Sequence, residues 1–416
     1  MLNRIAVLVA SGLCLCISML GQEASSGVSV PVTISGALRL THELGETTSV
    51  NPGFRVVASP TISLGTHWFA YSALEAHSSS YFQYRTGKEN TSPVQVNVMQ
   101  AFVGYLRTSS KGSVMIKAGQ ISSEFGLFPA DYEDSKMPLI NPPLVYMTNL
   151  PLRPDQLPCG TPDVLSQEYD SAVAFRCGGS AQQRYGATPV TLYGLPSIES
   201  QISVARFDAR LQVSNSSPVN PHGLTSNSQF AQWTAGGGYT TRQGLHVGMS
   251  GFKGPYLDEN LVPLLSAGTN LRSFSASGIE ADARWSRGPW SGQAEWLHFS
   301  FALPGFAISP SESAAYAEMK LILSPRVFVA ARLNTETFGG MKDQAGLTAS
   351  KAAGPQQVYE FGLGYRLNRQ QLLKTEAAWS RRDEWISMGW FWPRVDTYRC
   401  QVQLVTSFTG ISKAFQ

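Results

Sequence analysis

The stretch TYRCQVQLVTSF, residues 397–408, alternates apolar and polar side chains. Tyr398 and Val402 fall on one face of an extended strand, because successive residues of a strand point to opposite sides of the sheet. Arg399 and Gln401 fall on the other face. An apolar face opposite a polar face, repeating every two residues, predicts a β-strand that separates two different environments.

The same alternation recurs along the chain, in Gly278–Ser286, Ser313–Leu323, Arg326–Asn334 and Val358–Leu367. A half-buried strand of a soluble sheet also alternates, so any one of these segments is ambiguous. Many long strands with the same pattern favour a barrel that has lipid outside and a polar interior.

The links between the predicted strands provide a second pattern. Short links such as Arg287–Pro289 and Ser324–Pro325 alternate with long polar segments such as Lys253–Ser277 and Phe338–Gln357. This parity is typical of outer-membrane barrels. The sequence therefore predicts an all-β fold: a transmembrane antiparallel β-barrel of about 16–18 strands, with short periplasmic turns and long external loops.

The number of strands depends on a less regular region. Glu168–Arg176, Thr188–Tyr193, Ile198–Arg206 and Asp208–Ser216 are each predicted as strands. With all four the barrel has about 18 strands, and with Thr188–Arg206 misread it has about 16.

Composition excludes several classes of protein. The 416 residues are 43% hydrophobic and 15% charged, with a net charge of +3. A disordered chain would be less hydrophobic and more highly charged. A strong nucleic-acid binder would concentrate basic residues, so no nucleic-acid partner is expected.

The N-terminus predicts export. Arg4 precedes the uncharged apolar run Ile5–Leu20, which is short for a membrane-spanning helix, and small or polar residues follow. This is the pattern of a secretory signal peptide over residues 1–21, with cleavage after Gly21 or as late as Ala24. An N-terminal membrane anchor is the alternative. Residues 22–416 are then expected to form a single barrel domain.

Three cysteines follow the predicted signal. Cys159 and Cys177 are close in sequence, and an oxidising compartment favours a disulfide between them. Two free thiols remain the alternative. Cys400 has no partner, since the number of cysteines is odd.

Catalytic motifs are not recognisable. Gly248–Phe252 lacks the spacing of a nucleophile elbow, and His42-Glu43 is not followed by the second histidine of a zinc-binding helix. No catalytic residue, metal ligand or cofactor is predicted, and a non-enzymatic protein is expected. Two alternatives stay open: an outer-membrane β-barrel hydrolase with a dispersed site, and a secreted β-rich adhesin or binding protein.

Taken together, the signal peptide, the alternating links and the final strand resemble those of a Gram-negative outer-membrane porin. In these features the chain most resembles the large single-chain barrels that include the phosphate-selective porins. The passage Gly119–Pro129 is similar to the strand-to-loop passage of these porins, and Tyr398–Phe408 to their aromatic-ended last strand. One departure is that Thr409–Gln416 follow Phe408, whereas the family usually ends at the aromatic residue.

The resemblance implies a water-filled channel for passive diffusion of small polar solutes or ions across the bacterial outer membrane. Outer-membrane lipid would surround the barrel. The barrel-assembly machinery would recognise Tyr398–Phe408, and a homotrimer is a family expectation.

The segment 123–167 is too long for a structureless connector. The resemblance implies that it folds into the lumen as a constriction loop, and a surface cap is the alternative. The charged residues that would then face the channel are Asp131, Glu133, Asp134, Lys136, Arg153 and Asp155.

Strand alternation also predicts the side chains that line the lumen. The basic candidates are Arg39, Lys117, Arg210, Arg284, Lys320, Arg332, Arg366, Lys374 and Arg399. The acidic candidates are Glu280, Asp282, Glu295, Glu318, Glu360 and Glu376. Because the two signs are interleaved, a general diffusion pore is favoured over a phosphate channel.

Overall fold

The structure is a computed structural model. It describes residues 28–43, 48–78, 94–148, 152–169, 193–215, 231–266, 268–383 and 394–412, together with positions 190, 217 and 219. One large antiparallel sheet makes up most of it. The strands of this sheet are β1 Val28–Glu43, β2 Ser49–Ala58, β3 Thr61–Leu64, β4 Trp68–Ser78, β5 Val94–Ser109, β6 Gly112–Ile121, β7 Leu195–Val204, β8 Phe207–Ser214, β9 Gln232–Thr240, β10 His246–Pro255, β11 Ser275–Arg287, β12 Trp290–Phe301, β14 Ser311–Ser324, β15 Val327–Phe338, β18 Gln356–Arg366, β19 Gln371–Asp383 and β20 Arg394–Ser412.

The sheet closes on itself. β20 pairs with β1 from Val28↔Ser412 to Glu43↔Thr397, so the first and last strands complete the wall. The last strand was predicted to end at Phe408, but pairing with the N-terminal half of β1 carries it to Ser412. Closure satisfies the backbone hydrogen bonds of every wall strand within the protein, as a membrane requires.

Two of the segments form one wall strand. β2 and β3 both pair with β1 and with β4, and Ser59-Pro60 separates them. Proline has no backbone N–H to donate, so it interrupts the hydrogen-bond ladder. The seventeen strands of the sheet therefore make a closed barrel of sixteen wall strands.

The two faces of the barrel have opposite chemistry. On β18, Phe361 is 63% exposed on the outside whereas Glu360 is 1% exposed on the inside. In the last strand, Tyr398, Val402 and Leu404 are exposed, and Arg399 is buried. This is the reverse of a water-soluble protein, in which charged groups are rarely fully buried. The predicted alternation is confirmed, and the chain is a transmembrane β-barrel.

The predicted strand Glu168–Arg176 is wrong at its start, because residues 168 and 169 end the helix α1, Thr161–Tyr169. Val190 and Tyr193 also lie outside any strand. β6 pairs directly with β7 from Gly112↔Val204 to Ile121↔Leu195, which leaves no place between them for another wall strand. The connection between these strands consequently runs through residues 122–194, longer than the predicted 123–167. The predicted signal peptide lies outside the described residues, as does Cys177, so its pairing with Cys159 stays a prediction.

Short elements cover the long-loop end of the barrel. β13 Phe306–Ile308, β16 Met341–Asp343 and β17 Thr348–Ala349 form a small separate sheet. The Asp343 carboxylate accepts hydrogen bonds from the backbone N–H of Thr161, at the start of α1, and of Leu347. These bonds hold the pKa of Asp343 below its usual value, and they join α1 to this sheet. We call this group of elements the outer cap.

Four 3-10 turns complete the described structure: Phe128–Asp131, Leu144–Tyr146, Glu259–Leu264 and Leu271–Ser273. Among the described residues, no helix is long and apolar enough to cross a membrane.

Candidate functional site

Residues 123–148, which we call the lumen segment, turn inward after β6 and enter the barrel interior. Gly126 makes the turn with a φ of +87°, a conformation that glycine adopts without strain. The next residue, Leu127, donates its backbone N–H to Glu295 Oε1 on β12 at 2.8 Å. At the other end of the segment, the Tyr146 hydroxyl donates to the same oxygen at 2.7 Å. Glu295 therefore joins both ends of the segment to one point of the wall.

An apolar cluster supports this attachment. The Phe125 ring lies 4.8 Å from that of Phe252 on β10 and 5.6 Å from that of Phe299 on β12, both in edge-on geometry. Such aromatic pairs add about 0.5–1.5 kcal/mol to the burial of their surface. Five apolar side chains of the segment are buried: Phe125, Phe128, Leu139, Ile140 and Tyr146.

Two inward side chains of β19 clamp the middle of the segment. The Lys374 ammonium donates to the carbonyl oxygens of Asp134, Met137 and Leu139 at 2.9, 3.2 and 3.0 Å. Two residues along the strand, Glu376 takes the opposite role and accepts hydrogen bonds from the segment. Lys374 and Glu376 thus recognise the backbone polarity of the segment by using a cation for its carbonyls and an anion for its N–H groups.

The Glu376 contacts are short and come from consecutive residues. Its Oε2 accepts from the backbone N–H of Ile140 at 2.5 Å and of Asn141 at 3.3 Å. Its Oε1 accepts from the Asn141 side-chain amide at 2.6 Å and from Gln401 Nε2 at 3.1 Å. Hydrogen bonds to a charged group are about twice as strong as neutral ones. We call Lys374 and Glu376, with the segment atoms that they bind, the β19 clamp.

Arg332 on β15 makes a third attachment. Its Nη2 donates to the carbonyl oxygens of Asn141 at 2.6 Å and Pro142 at 3.1 Å. Its remaining nitrogens contact Glu360 Oε2 at 2.7 Å and Glu318 Oε2 at 3.0 Å. All three charged side chains are buried. The guanidinium therefore neutralises two wall carboxylates and binds the lumen segment at the same time.

The segment also reaches the other side of the barrel. Asp134 Oδ1 lies 3.1 Å from Arg55 Nη1 on β2, and the Tyr132 ring lies 4.2 Å from the Arg55 guanidinium carbon. Arg55 is paired in turn with Glu75 on β4. β2 and β12 are seven strands apart by the shorter way round the sixteen-strand wall. The lumen segment therefore crosses the barrel rather than lining one side of it.

Burial changes the chemistry of the two tyrosines of the segment. It raises the pKa of Tyr132 and of Tyr146 well above the ordinary value for tyrosine. Both phenols consequently stay protonated at all physiological pH values. Tyr146 can therefore donate to Glu295 throughout, and the segment is attached without a titrating tyrosine.

The predicted constriction residues fall in two places. Asp134 is buried in the lumen segment, and Glu133 pairs there with the exposed Lys136 at 2.7 Å. The backbone of Asp131 closes a 3-10 turn of the same segment. Arg153 and Asp155 lie outside that segment: both are buried, they pair with each other at 3.6 Å, and the carbonyl of Pro154 between them accepts the backbone N–H of Asp258. Their role in a constriction stays a prediction.

All predicted lumen residues lie on wall strands, but they differ in burial. Buried are Arg39, Glu280, Asp282, Glu295, Glu318, Arg332, Glu360, Lys374, Glu376 and Arg399. Half-buried are Lys117, Arg210, Arg284 and Lys320, and Arg366 is exposed near the β18–β19 turn. Three of the buried wall residues bind the same residue of the lumen segment. Asn141 forms hydrogen bonds with Arg39, at 3.2 Å, and with Arg332 and Glu376.

Sequence reasoning did not single out Arg55, Glu75 or Asn141. Arg55 and Glu75 each sit between apolar residues in a predicted strand, so strict application of the two-residue period would have placed both inside. Asn141 lies in the lumen segment between Ile140 and Pro142 and has no such signal. Its importance follows only from the long-range contacts of the folded barrel.

Gly362 on β18, which has no side chain, makes room for the lumen segment. A Cβ on Gly362 would lie 2.6 Å from Leu139 Cδ2. We expect Gly362→Val to displace Leu139 and to cost about 1–3 kcal/mol, as overpacking of a buried site usually does. Limited proteolysis should then cut the lumen segment faster than in the parent protein. The double variant Leu139→Ala/Gly362→Val should restore protection, whereas equal cleavage of both variants would show that Gly362 does not accommodate the segment.

Comparison with known proteins agrees with this architecture. No protein-family model matches the chain, and no curated protein matches it. Among solved structures, the anion-selective porin of Comamonas acidovorans aligns with 92% of this chain and 100% of its own, at 11% identity and a TM-score of 0.54. The outer membrane channel DcaP of Acinetobacter baumannii aligns with 94% of this chain and 99% of its own, at 9% identity and a TM-score of 0.54.

A trimer form of OmpT, an outer membrane protein of Vibrio cholerae, aligns with 92% of this chain and 99% of its own, at 8% identity and a TM-score of 0.51. Identities this low establish likeness of fold alone. The closed wall of sixteen strands, its apolar outer face and these neighbours agree: the chain has the fold of the large single-chain porins of the Gram-negative outer membrane.

Proposed function

We propose that the chain is an outer-membrane channel through which small polar solutes or ions diffuse passively. The observation that carries the proposal is the interior of the barrel, where charged side chains line the wall and several of them remain accessible to water. Lys117, Arg210, Arg284 and Lys320 keep partial exposure although they point inward. A polar, wetted passage removes the cost of carrying a polar solute through hydrocarbon.

The lumen segment is the constriction in this proposal. It crosses the interior and is attached at Glu295, at the β19 clamp, at Arg332 and at Arg55. A solute must therefore pass beside it, along the half-buried side chains Lys117, Arg210, Arg284 and Lys320. Because the attachments consist of buried charges and hydrogen bonds, the width of the passage is fixed by the fold rather than by thermal motion of a loose loop.

Two partners in assembly are also proposed. A homotrimer is supported by the trimer form of OmpT and by the exposed apolar outer wall. Recognition of β20 by the barrel-assembly machinery is supported by the position of this strand at the closure of the barrel.

The two alternatives receive less support. A secreted adhesin would not expose large apolar side chains over the whole outside of a closed barrel. A hydrolase would need a nucleophile, a base and an acid together. One Ser–His contact, His298 Nδ1 to Ser313 Oγ at 2.8 Å, lies on the outward face of the wall, where lipid rather than a polar substrate is expected.

Planar-bilayer recording tests the proposal directly. Refolded protein, shown to be a barrel by its heat-modifiable mobility in electrophoresis, should produce discrete conductance steps that scale with salt concentration. The steps should be small for a sixteen-strand barrel, because the lumen segment occupies much of the interior. A correctly folded barrel that inserts and produces no steps would refute the channel.

A further inference from the structure

Among the predicted lumen residues, those that water can reach are basic. The predicted lumen residues carry both signs in sequence, but the structure separates them by depth. The acidic ones are all buried: Glu280, Asp282, Glu295, Glu318, Glu360 and Glu376. The basic ones that keep access to water are Lys117, Arg210, Arg284, Lys320 and Arg366. Lys117 and Arg210 are paired with Glu199 and Glu124. The positive charge that would attract anions therefore lies at Arg284, Lys320 and Arg366, which the sequence pattern did not predict.

One cavity lies on this wall. It has a volume of about 220 Å³. It lies between the lumen segment and the periplasmic ends of β11, β12 and β14. The segment contributes Phe128, Met137 and Pro138, and the wall contributes Arg284 and Lys320. Lys136, whose side chain is 58% exposed, stands at the same cavity.

The charge of the cavity is positive even after its carboxylates are included. Glu318 lines it, but this side chain is paired with Arg332 at 3.0 Å and accepts from Gln293 at 3.1 Å. Lys136 is paired with Glu133. Three cations line the cavity, Lys136, Arg284 and Lys320, together with one carboxylate, Glu318. Arg332 lies behind Glu318 and is shared between Glu318 and Glu360.

The opposite side of the cavity is apolar. The Phe128 ring packs on Tyr146 at 5.1 Å between ring centroids and is 2% exposed in all, and Met137 and Pro138 continue this surface. The volume is below the range of about 300–1,000 Å³ that is typical of drug-sized ligands. The site is therefore suited to a small molecule with one charged end and one apolar end.

We propose that this cavity binds a small organic acid. Its carboxylate lies toward Lys320 and Arg284, and its apolar body lies against Phe128 and Met137. The proposal deepens the proposed channel function, because it names the class of solute that the periplasmic half of the passage retains. Binding of the acid requires only the folded barrel and its cavity, and does not require that the barrel conducts.

Calorimetric titration of the refolded full-length barrel in detergent, at low ionic strength, tests the site. Benzoate is the probe, and benzamide is its uncharged counterpart. We expect saturable binding of benzoate at one site and at least a tenfold weaker interaction with benzamide. Lys320→Gln and Arg284→Gln should each weaken benzoate binding at least tenfold. Lys111→Gln, which removes an exposed charge at the distant β5–β6 turn, should leave it unchanged.

Other results would overturn the proposal. Benzoate that does not saturate, or that binds all three variants equally, would show that the cavity is not the site. Inorganic phosphate that binds as tightly as benzoate would show that the apolar side contributes nothing and that the ligand class is wrong. Binding is measured without a bilayer, so the two proposals can fail separately. A barrel that binds benzoate but conducts no current would refute the channel and support the site. A barrel that conducts but does not bind benzoate would refute the site and support the channel.

Discussion

Glu376→Ala is expected to raise the single-channel conductance of the refolded barrel several-fold. The substitution removes the acceptor of two backbone N–H groups and of the Asn141 amide, which are then buried without a partner. Removing one partner from a buried charged network costs about 3–5 kcal/mol. A loss of about 3 kcal/mol is more than a hundredfold in the docking equilibrium of the segment. The wall itself should stay closed, because its ladder of backbone hydrogen bonds does not involve the side chain of Glu376.

Ser380→Ala is the matched control on the same strand. Ser380 is buried on the inner face of β19 and accepts a hydrogen bond from Gln356, not from the lumen segment. The conductance of the Ser380→Ala variant should equal that of the parent protein. Limited proteolysis gives a second measurement, since Glu376→Ala alone should expose the lumen segment to cleavage. An unchanged conductance together with faster cleavage would show that the segment undocks without limiting the passage.

The wall could be predicted from the sequence because the pattern that determines each strand lies within a few neighbouring residues. A period of two decides which side of a strand faces lipid, so Val402 and Gln401 were assigned to opposite faces from neighbouring residues alone. The parity of short and long links supplied the topology in the same way. Where the pattern was short it failed, as at Glu168, which belongs to α1. A few alternating residues do not distinguish a strand from one turn of helix.

The interior could not be predicted to the same depth, because its contacts join distant parts of the chain. Arg55 and Asp134 are 79 residues apart, and Asn141 and Glu376 are 235 apart. Alternation placed Lys374 and Arg284 on the same face. It could not show that one is buried in the clamp and the other borders a cavity, because depth of burial depends on where the lumen segment lies. The proposed preference for anions rests on that depth and not on the number of charges.

Arg332→Met is expected to destabilise the barrel itself, in contrast with Glu376→Ala. Without the guanidinium, Glu318 and Glu360 remain buried in the wall with no cation between them, and the carbonyls of Asn141 and Pro142 lose a donor. The free energy of unfolding should fall by about 3–5 kcal/mol, the usual cost of leaving a buried charge uncompensated. Urea unfolding of the barrel in lipid vesicles, followed by tryptophan fluorescence, measures this change.

The triple variant Arg332→Met/Glu318→Gln/Glu360→Gln separates the two roles of the arginine. Neutralising both carboxylates removes the uncompensated charge, and replacing a buried ion network by neutral groups is often close to neutral for stability. Unfolding should return to within about 1 kcal/mol of the parent protein, whereas the lumen segment, which still lacks its Arg332 donor, should remain more sensitive to protease. The exposed turn variant Arg369→Met should cost less than about 0.5 kcal/mol. A triple variant as unstable as Arg332→Met would mean that contacts with the segment, rather than charge balance in the wall, account for the loss.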